Sequence, residues 1–367
     1  MAAQEEDFDL GALVVNDDLG YPVVVGGGLR ESFSEFVRAR GGRWVMLCDA
    51  NPAVVRIARA YARKAGGALA VIPVALGERR KRLATVERVL DALVRAGADR
   101  GTLVVGVGGG VASDLFGFAA ACYMRGVGYA HVATSLVAMV DAAIGGKTGV
   151  DLQGGKNLAG VFRDPLAVFC DVEALQTLPY RSLREGLAEV VKAAVIEGDE
   201  LFDSLELLAA HPFWRWPWED LVARAVKVKT AVVADDRLES GMRELLNLGH
   251  TFAHGIERAS EFAVTHGAAV ALGLRAAGLL ALRTGRFSQG EHLRVLTLLA
   301  LLRMPLRTSL APDAILSAMQ SDKKKRGGEL RFVLPRAIGD VEYGVTVSPR
   351  LVREVLARMQ RPPEAVR

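Results

Sequence analysis

Residues 103–114, LVVGVGGGVASD, join a run of β-branched residues to a helix-forming stretch through a cluster of glycines. The first residues are typical of a buried strand, and the pattern from Val111 onward is typical of a helix. A glycine turn at this place exposes the backbone N–H groups of the helix N-terminus. In α/β proteins these groups bind a nucleotide pyrophosphate. Val111 stands at the third glycine position of the usual dinucleotide fingerprint, so a purely structural turn is an equal alternative.

Strand and helix patterns alternate on both sides of this turn. Strands are predicted at 21–25, 44–48, 68–74 and 103–107, and helices at 29–39, 52–65 and 83–96. Repeated alternation of this kind predicts a parallel sheet with helices on both faces. Asp49 follows a predicted strand, where a carboxylate can accept hydrogen bonds from ribose hydroxyls. The alternative for Asp49 is a helix N-cap, since Pro52 follows at a plausible first helical position.

Composition narrows the class of protein. The chain has 367 residues, which favours two domains, and hydrophobic residues make up 51% of it. Its net charge of +4 is a small excess of 46 basic over 42 acidic residues. This balance gives no indication of a nucleic-acid partner. The three cysteines are too few and too scattered for a disulfide framework. No signal peptide or membrane span is recognisable, so we expect a cytoplasmic protein.

Helical periodicity replaces the alternation from about residue 179. We therefore predict a domain boundary within 177–182, between an α/β domain of residues 1–180 and a helical domain of residues 181–367. The first long helix of the second domain carries Glu189 and Lys192, three residues apart and flanked by apolar residues. This spacing predicts either a partly buried charged pair or an ordinary intrahelical salt bridge.

Residues 239–266, ESGMRELLNLGHTFAHGIERASEFAVTH, hold three of the six histidines. We predict an unbroken helix through the first two, His250 and His254, which lie four residues apart on one face. Glu239, Arg243 and Asn247 fall on roughly the same face. A helix that faces the core should carry an apolar stripe, so this polar stripe predicts a lined cavity. The alternative is a surface helix with two incidental histidines.

Two Gly-Gly-Lys turns end at Lys147 and Lys156. The first, Gly-Gly-Lys-Thr, is not a P-loop, because Asp141 stands where that motif requires its first glycine. Their backbone N–H groups and ammonium groups suit phosphate. Structural turns with solvated lysines are the alternative.

Six motifs occur in a fixed order along the chain: Asp141-x5-Lys147, Gly155-Lys156-Asn157, Leu187-x-Glu189-x2-Lys192, Glu239-x3-Arg243-x3-Asn247-x2-His250-x3-His254, His266-Gly267 and Asp322-Lys323-Lys324. In these motifs the chain resembles the 3-dehydroquinate synthase family, over about residues 20–345. The resemblance implies a Rossmann-like, parallel-sheet NAD-binding domain, then an all-α metal-binding domain, in a homodimer.

The resemblance also assigns a role to each matching position. Glu189, His250 and His266 match metal ligands, with Zn²⁺ or Co²⁺ as the ion. Three such ligands leave open positions for substrate, as a catalytic site requires. The catalytic positions around the substrate ring are Asp141, Lys192, Lys229, Glu239 and His254, the last for phosphate contact and proton handling. The positions for the substrate phosphate and carboxylate are Arg125, Lys147, Asn157, Arg243, Asn247, and one of Lys323 and Lys324. Of these, Arg125 matches the arginine that reaches the partner subunit's site. The NAD positions are Asp49, Asn51, Glu78, Lys81, Gly109, Gly110, Val111, Asp114, Thr134, Ser135, Lys156, Thr177 and Leu178.

The implied reaction converts 3-deoxy-D-arabino-heptulosonate 7-phosphate to 3-dehydroquinate and phosphate, a step of the shikimate pathway to aromatic amino acids. NAD⁺ oxidises the substrate transiently, phosphate leaves, the hydride returns, and an intramolecular aldol step closes the ring. The first alternative is a secondary-metabolism cyclase such as aminodehydroquinate synthase, which tends to differ at the positions held here by Asn157, Arg243, Leu246 and Asn247. The second is a metal-dependent polyol dehydrogenase, whose first metal ligand is typically Asp. The third is a binding protein without activity.

Overall fold

The computed structural model describes residues 13–15, 19–324 and 330–363, without the side chains of 13–15 and 321–324. The chain divides into two compact units, Met1–Leu178 and Pro179–Arg367.

The first unit is built on a seven-stranded sheet. The strands of the unit are β1 Leu13–Val15, β2 Val23–Gly26, β3 Trp44–Asp49, β4 Ala68–Val74, β5 Leu103–Gly108, β6 Tyr129–Ala133, β7 Lys147–Leu152, β8 Gly155–Phe162 and β9 Val168–Asp171. The sheet order is β1-β2-β9-β6-β5-β3-β4. β1 is antiparallel to β2, and the other pairs in this sheet are parallel. β7 and β8 form a separate antiparallel hairpin.

Helices cover both faces of this sheet. They are α1 Arg30–Arg40, α2 Pro52–Ala65, α3 Leu83–Arg95 and α4 Gly110–Cys122. Along β3, Met46 and Cys48 join a core with α1 and α2, whereas Val45 and Leu47 join a core with α3 and α4. A parallel strand buried on both faces is apolar at consecutive positions, which explains the β-branched runs in the sequence. The predicted parallel sheet with helices on both faces is confirmed.

The second unit is mostly helical. Its helices are α5 Tyr180–Glu197, α6 Asp199–Ala209, α7 Trp218–Asp235, α8 His250–Ala259, α9 His266–Arg283, α10 Gln289–Leu301, α11 Pro312–Lys324 and α12 Pro349–Arg358. The sequence did not predict its antiparallel hairpin, formed by β10 Arg331–Ala337 and β11 Asp340–Thr346. Phe332 and Leu334 of β10 are buried, and β10 packs against α9. The hairpin is thus part of the helical core.

The predicted unbroken helix from Glu239 is wrong. A 3₁₀ helix spans Met242–Asn247, and α8 begins at His250. Gly249 between them has a φ of 77°, which side-chain-bearing residues rarely adopt. A Cβ on Gly249 would lie 2.9 Å from the backbone nitrogen of Leu274. The close approach of α9 therefore requires both the glycine and the break, and His250 becomes the first residue of a helix.

Among the described residues, no helix combines the length and the apolar character needed to cross a bilayer.

Both units bury an imidazole, and we expect this to make the fold sensitive to acid. Burial lowers the pKa of His131 in β6 to about 4, and burial with the nearby Arg275 charge lowers that of His292 in α10 to about 4. Because the unfolded chain has the higher histidine pKa, it binds more protons between about pH 6.5 and 4. Stability should therefore be retained above pH 6.5 and fall toward pH 4, by up to about 3 kcal/mol per histidine.

Urea unfolding at pH 7 and pH 5 would measure this loss. His292→Leu should show a smaller difference between the two pH values than the wild-type chain, because it cannot bind the proton. An equal difference in both proteins would contradict a role for His292 in acid sensitivity.

Candidate active site

Three helices bring Glu189, His250 and His266 together in the second unit. Glu189 lies within α5, and the histidines are the first residues of α8 and α9. One ligand atom from each residue lies within 4.8 Å of the others. Oε1 of Glu189 is 3.1 Å from Nε2 of His266 and 3.4 Å from Nε2 of His250. α9 packs against both α5 and α8, so the core of the unit sets this geometry.

The beginning of α9 can approach α5 because residue 267 is a glycine. A Cβ on Gly267 would lie 2.4 Å from the Cα of Glu185, one turn before Glu189. A larger residue would push His266 away from the carboxylate. The His266-Gly267 pair therefore combines a ligand-type side chain with the space that its helix needs.

The charges around Glu189 favour its ionised form. Burial alone would raise the pKa of Glu189, but the Lys192 ammonium and His250 outweigh burial and hold this pKa well below its ordinary value. Nζ of Lys192 lies 2.6 Å from Oε2 of Glu189, and both side chains are buried. The sequence left open a partly buried pair or an ordinary salt bridge, and the pair is in fact fully buried. It leaves Oε1 directed at the two imidazoles.

The histidine contacts direct both Nε2 atoms toward Glu189. Nδ1 of His250 is 3.2 Å from the carbonyl oxygen of Leu248, so Nδ1 donates to that carbonyl and Nε2 faces Glu189. Burial lowers the pKa of His266, but hydrogen bonds to Glu189 and Glu257 outweigh burial and raise this pKa above its ordinary value. A proton and a cation would therefore compete for His266. Two imidazoles and a carboxylate fit Zn²⁺ or Co²⁺.

Sequence reasoning missed Glu257. This buried residue of α8 places Oε1 3.4 Å from Nδ1 of His266. A carboxylate behind a ligating histidine fixes its orientation and raises its basicity. The available signal was spacing, since Glu257 lies seven residues after His250 and so falls on the same helix face.

The other candidates of the second unit lie on several elements. Asn247 donates from Nδ2 to Oε1 of Glu239, 3.2 Å away, and Arg243 is buried and donates from Nη1 to the carbonyl of Arg237 at 2.6 Å. Their 3₁₀ segment packs against α5 and α7, and α7 carries the buried Lys229. His254 is exposed, with its ring 5.6 Å from that of His250. Lys323 and Lys324 lie outside the described side chains.

In the first unit, five candidates meet at the tip of the β7–β8 hairpin. Nζ of Lys81 contacts Oδ2 of Asp114 and Oδ1 of Asn157, both at 2.5 Å. Nζ of Lys156 lies 2.6 Å from Oε1 of Glu78. Burial raises the pKa of Asp114 despite the Lys81 ammonium beside it. The second Gly-Gly-Lys turn is thus tied to α4 and to the segment after β4.

The glycine turn after β5 brings a second group together. Gly109 and Gly110 lie at the N-terminus of α4, followed by Val111. A Cβ on Gly109 would lie 3.0 Å from Oγ of Ser135, and Thr134 donates its N–H to the carbonyl of Gly108. The turn therefore leaves no room for side chains between α4 and the residues after β6.

The remaining candidates are more dispersed. Asp49 accepts from the N–H of Asn51 at 2.9 Å, and the Asn51 side chain caps α2, so the N-cap alternative for Asp49 is wrong. Four further positions lie elsewhere in this unit: Asp141 in a single π turn, Lys147 at the beginning of β7, and Thr177 and Leu178 in and after a 3₁₀ segment. Arg125 is exposed, with a φ of 68°.

Comparison with known proteins gives consistent results over nearly the whole chain. The model of the 3-dehydroquinate synthase N-terminal family matches residues 71–185, and that of the C-terminal family matches residues 186–325. A 3-dehydroquinate synthase from Gloeobacter violaceus is 41% identical over 346 residues, covering 92% of this chain and 95% of its own.

Two solved structures of sugar-phosphate cyclases share the fold over most of this chain. The 2-epi-5-epi-valiolone synthase of Streptomyces hygroscopicus subsp. jinggangensis 5008, with NAD⁺ and Zn²⁺ bound, has a TM-score of 0.85 at 30% identity, covering 95% of this chain and 98% of its own. A 2-deoxy-scyllo-inosose synthase complexed with carbaglucose-6-phosphate, NAD⁺ and Co²⁺ has a TM-score of 0.82 at 27% identity, covering 92% and 96%. The resemblance read from the motifs is confirmed, and the chain belongs to the 3-dehydroquinate synthase family.

Proposed function

We propose that this chain is a 3-dehydroquinate synthase, a lyase that converts 3-deoxy-D-arabino-heptulosonate 7-phosphate to 3-dehydroquinate and phosphate in the shikimate pathway. The observation that carries the proposal is the buried Glu189–His250–His266 cluster. It lies within the part of the chain matched by the C-terminal family model. The 41% identity to a relative of that name supports the same activity.

We propose two cofactors, NAD and one Zn²⁺ or Co²⁺ ion. Residues 1–180 would hold most of the NAD, and residues 181–367 would hold the metal. The glycine turn at the N-terminus of α4 supports the NAD site, because its N–H groups suit a pyrophosphate. The donor set of Glu189, His250 and His266 supports the metal. A bound divalent ion would acidify the substrate hydroxyl that NAD⁺ oxidises. Lys192 keeps Glu189 ionised for this role.

The polar side chains supply binding and proton handling. Arg243, Asn157 and Lys147 are proposed to hold the substrate phosphate, because guanidinium, amide and ammonium groups all donate to its oxygens. His254 is exposed beside His250, where an imidazole can exchange protons with a leaving phosphate. Lys229 is a buried cation on α7, and we assign it to the substrate ring.

The main alternative is another sugar-phosphate cyclase, since a valiolone synthase and an inosose synthase share the fold over most of this chain. The residues Asn157, Arg243, Leu246 and Asn247 match the dehydroquinate synthase pattern and support that reaction instead. A carboxylated substrate needs cationic and amide donors, which Arg243, Asn157 and Asn247 provide.

The deciding experiment measures phosphate release with NAD⁺ far below the substrate concentration. We expect many turnovers per NAD⁺, one phosphate per turnover and a flat NADH absorbance, because the same NADH returns its hydride. Deuterium at substrate C5 should be retained in the product. NADH accumulating with a polyol, without phosphate release, would instead identify a polyol dehydrogenase. Turnover only with sugar phosphates that lack a carboxylate would identify a different cyclase.

We further propose a homodimer in which Arg125 reaches the neighbouring site. Leu158, Val161 and Phe162 on β8 are exposed apolar residues. The guanidinium of Arg163, next along the chain, donates to the carbonyl of Val127 at 3.1 Å, which places Arg125 beside this apolar strand. Exposed apolar strands of this kind mark interaction surfaces. The left-handed backbone at Arg125 is strain of the type stored at functional sites.

Subunit complementation would test this arrangement. Arg125→Ala and His266→Ala should each be inactive alone. An equimolar mixture should regain up to about a quarter of the activity, because about half of its dimers are mixed and one site of each combines an intact metal set with an intact partner arginine. Two variants within the same site, such as Arg243→Ala with His266→Ala, provide the control for mixing. Light scattering should give a dimer, and a monomer with full activity would contradict the proposal.

A further inference from the structure

We propose that Asp236 is a positioning residue, which holds residues 236–243 in the conformation that presents Glu239 and Arg243 to substrate. This inference rests on the proposed function, because that function gives Glu239 and Arg243 their roles. Asp236 directly follows α7 and is buried, whereas its neighbour Asp235 is exposed.

The Asp236 carboxylate accepts four hydrogen bonds from the loop that follows it. Oδ1 accepts from the backbone N–H of Ser240 at 2.8 Å and from its hydroxyl at 3.0 Å. Oδ2 accepts from the N–H of Gly241 at 2.7 Å and from that of Arg243 at 3.1 Å. An ionised carboxylate is the strongest acceptor for such donors. One side chain therefore satisfies backbone groups that no helix or strand satisfies.

The electrostatics agree with this geometry. Hydrogen bonds from Ser240, Gly241 and Arg243 outweigh burial and hold the pKa of Asp236 well below its ordinary range. These hydrogen bonds therefore favour the ionised carboxylate. Its role does not depend on a proton that moves during turnover.

The loop has a conformation that needs such support. Glu239 has a φ of 60°, which costs a residue with a side chain on the order of 1–3 kcal/mol unless its surroundings enforce it. Its N–H donates to the carbonyl of Asp236, and its carboxylate accepts from Asn247. The Arg243 guanidinium closes the other side of the loop on the carbonyl of Arg237.

The two functional side chains therefore depend on one carboxylate. The backbone N–H of Arg243 donates to Asp236. Glu239 lies in the chain between Asp236 and Ser240, and Ser240 donates two hydrogen bonds to the Asp236 carboxylate. Loss of the carboxylate would leave three loop N–H groups without this acceptor, that of Arg243 buried, and allow Glu239 to relax to negative φ. Both side chains would then leave their positions without any change at the metal ligands.

Asp236→Asn is the test, with Asp235→Asn as the matched control one residue away. Asparagine keeps the size but loses the charge and part of the acceptor capacity. We expect Asp236→Asn to raise KM for the phosphorylated substrate at least tenfold, with metal content unchanged. Inorganic phosphate binding, measured by calorimetry, should weaken in parallel. Asp235→Asn should leave both quantities at wild-type values.

A double-mutant cycle separates positioning from general structural damage. If Asp236 acts through Arg243, Asp236→Asn should change phosphate binding less than twofold in an Arg243→Ala background. If the effects of Asp236→Asn and Arg243→Ala on phosphate binding multiply in the double mutant, the proposal is overturned. Wild-type phosphate binding and KM in Asp236→Asn would overturn it too.

Two further results keep the outcomes distinct. Should Asp236→Asn fail to fold, Ser240→Ala removes one of the four bonds and should weaken phosphate binding about two- to tenfold; no change there would overturn the proposal. A wild-type protein whose phosphate binding depends on Asp236 and Arg243, but which does not release phosphate from the heptulosonate, would refute only the proposed function. If the wild-type protein releases phosphate from the heptulosonate and Asp236→Asn has wild-type KM and phosphate binding, only the positioning role is refuted.

Discussion

Glu189→Gln is expected to abolish metal binding and turnover. Glutamine keeps the size of the side chain but removes the negative charge that faces His250 and His266. Removing even an outer hydrogen-bond partner of a metal ligand typically costs 10–100-fold in affinity, so loss of a charged ligand should cost more. The change also removes the carboxylate 2.6 Å from the buried Lys192 ammonium, which should lower stability because breaking a buried ion pair is destabilising.

Metal analysis after dialysis and phosphate-release assays would measure these effects. Glu185→Gln, one turn earlier on α5, is the matched control and should keep its metal. His266→Ala should lose metal as Glu189→Gln does, whereas His254→Ala should keep it. Chelator treatment should inactivate the wild-type protein, and Zn²⁺ or Co²⁺ should restore it. Full activity in metal-free protein would contradict the assignment of Glu189, His250 and His266 as ligands of a catalytic metal.

Arg243→Ala is expected to raise KM for the phosphorylated substrate roughly ten- to a hundred-fold. The reason is the loss of a charge-assisted contact worth about 1.5–3 kcal/mol. Arg243→Lys should recover only part of the effect, because an ammonium lacks the planar fork of donors. Steady-state kinetics would measure both variants. Arg237→Ala is the control, since its side chain is exposed and its carbonyl, which accepts from Arg243, is unchanged.

Truncating Arg243 also affects the fold, because this arginine is buried and ties the loop to the carbonyl of Arg237. Thermal unfolding should therefore be measured for each variant, and the kinetics should be run well below the transition. An unchanged KM in a folded Arg243→Ala protein would exclude the phosphate role.

The sheet of the first unit could be predicted because its strands are apolar on both faces and its helices have strong boundary signals. The observed α2, Pro52–Ala65, and β4, Ala68–Val74, have the predicted ranges. Pro52 and the glycines after Ala65 act locally, so these boundaries needed no tertiary information. The Glu189–Lys192 contact could be predicted for a similar reason, since a spacing of three places both groups on one helix face, but the spacing left open whether the pair is buried.

Tertiary contacts decided the features that the sequence did not reveal. The helix break at Gly249 depends on the approach of α9, which no local pattern records. Glu257 looks like a solvated helix residue until His266, nine positions later, returns beside it. Asp236 looks like a helix C-terminal residue, because its four donors belong to a loop without periodicity. Pro335 obscured β10, since proline argues against a strand except at an edge.

The placement of Glu189, His250 and His266 on three separate helices has a thermodynamic consequence. An ion bound by all three would act as a cross-link between distant parts of the chain, present in the native state and absent from the unfolded one. Metal affinity and the free energy of unfolding would then be linked quantities, related by mass action. A hundredfold excess of free ion over its dissociation constant would add about 2.7 kcal/mol. The melting temperature of the second unit would accordingly report free metal concentration.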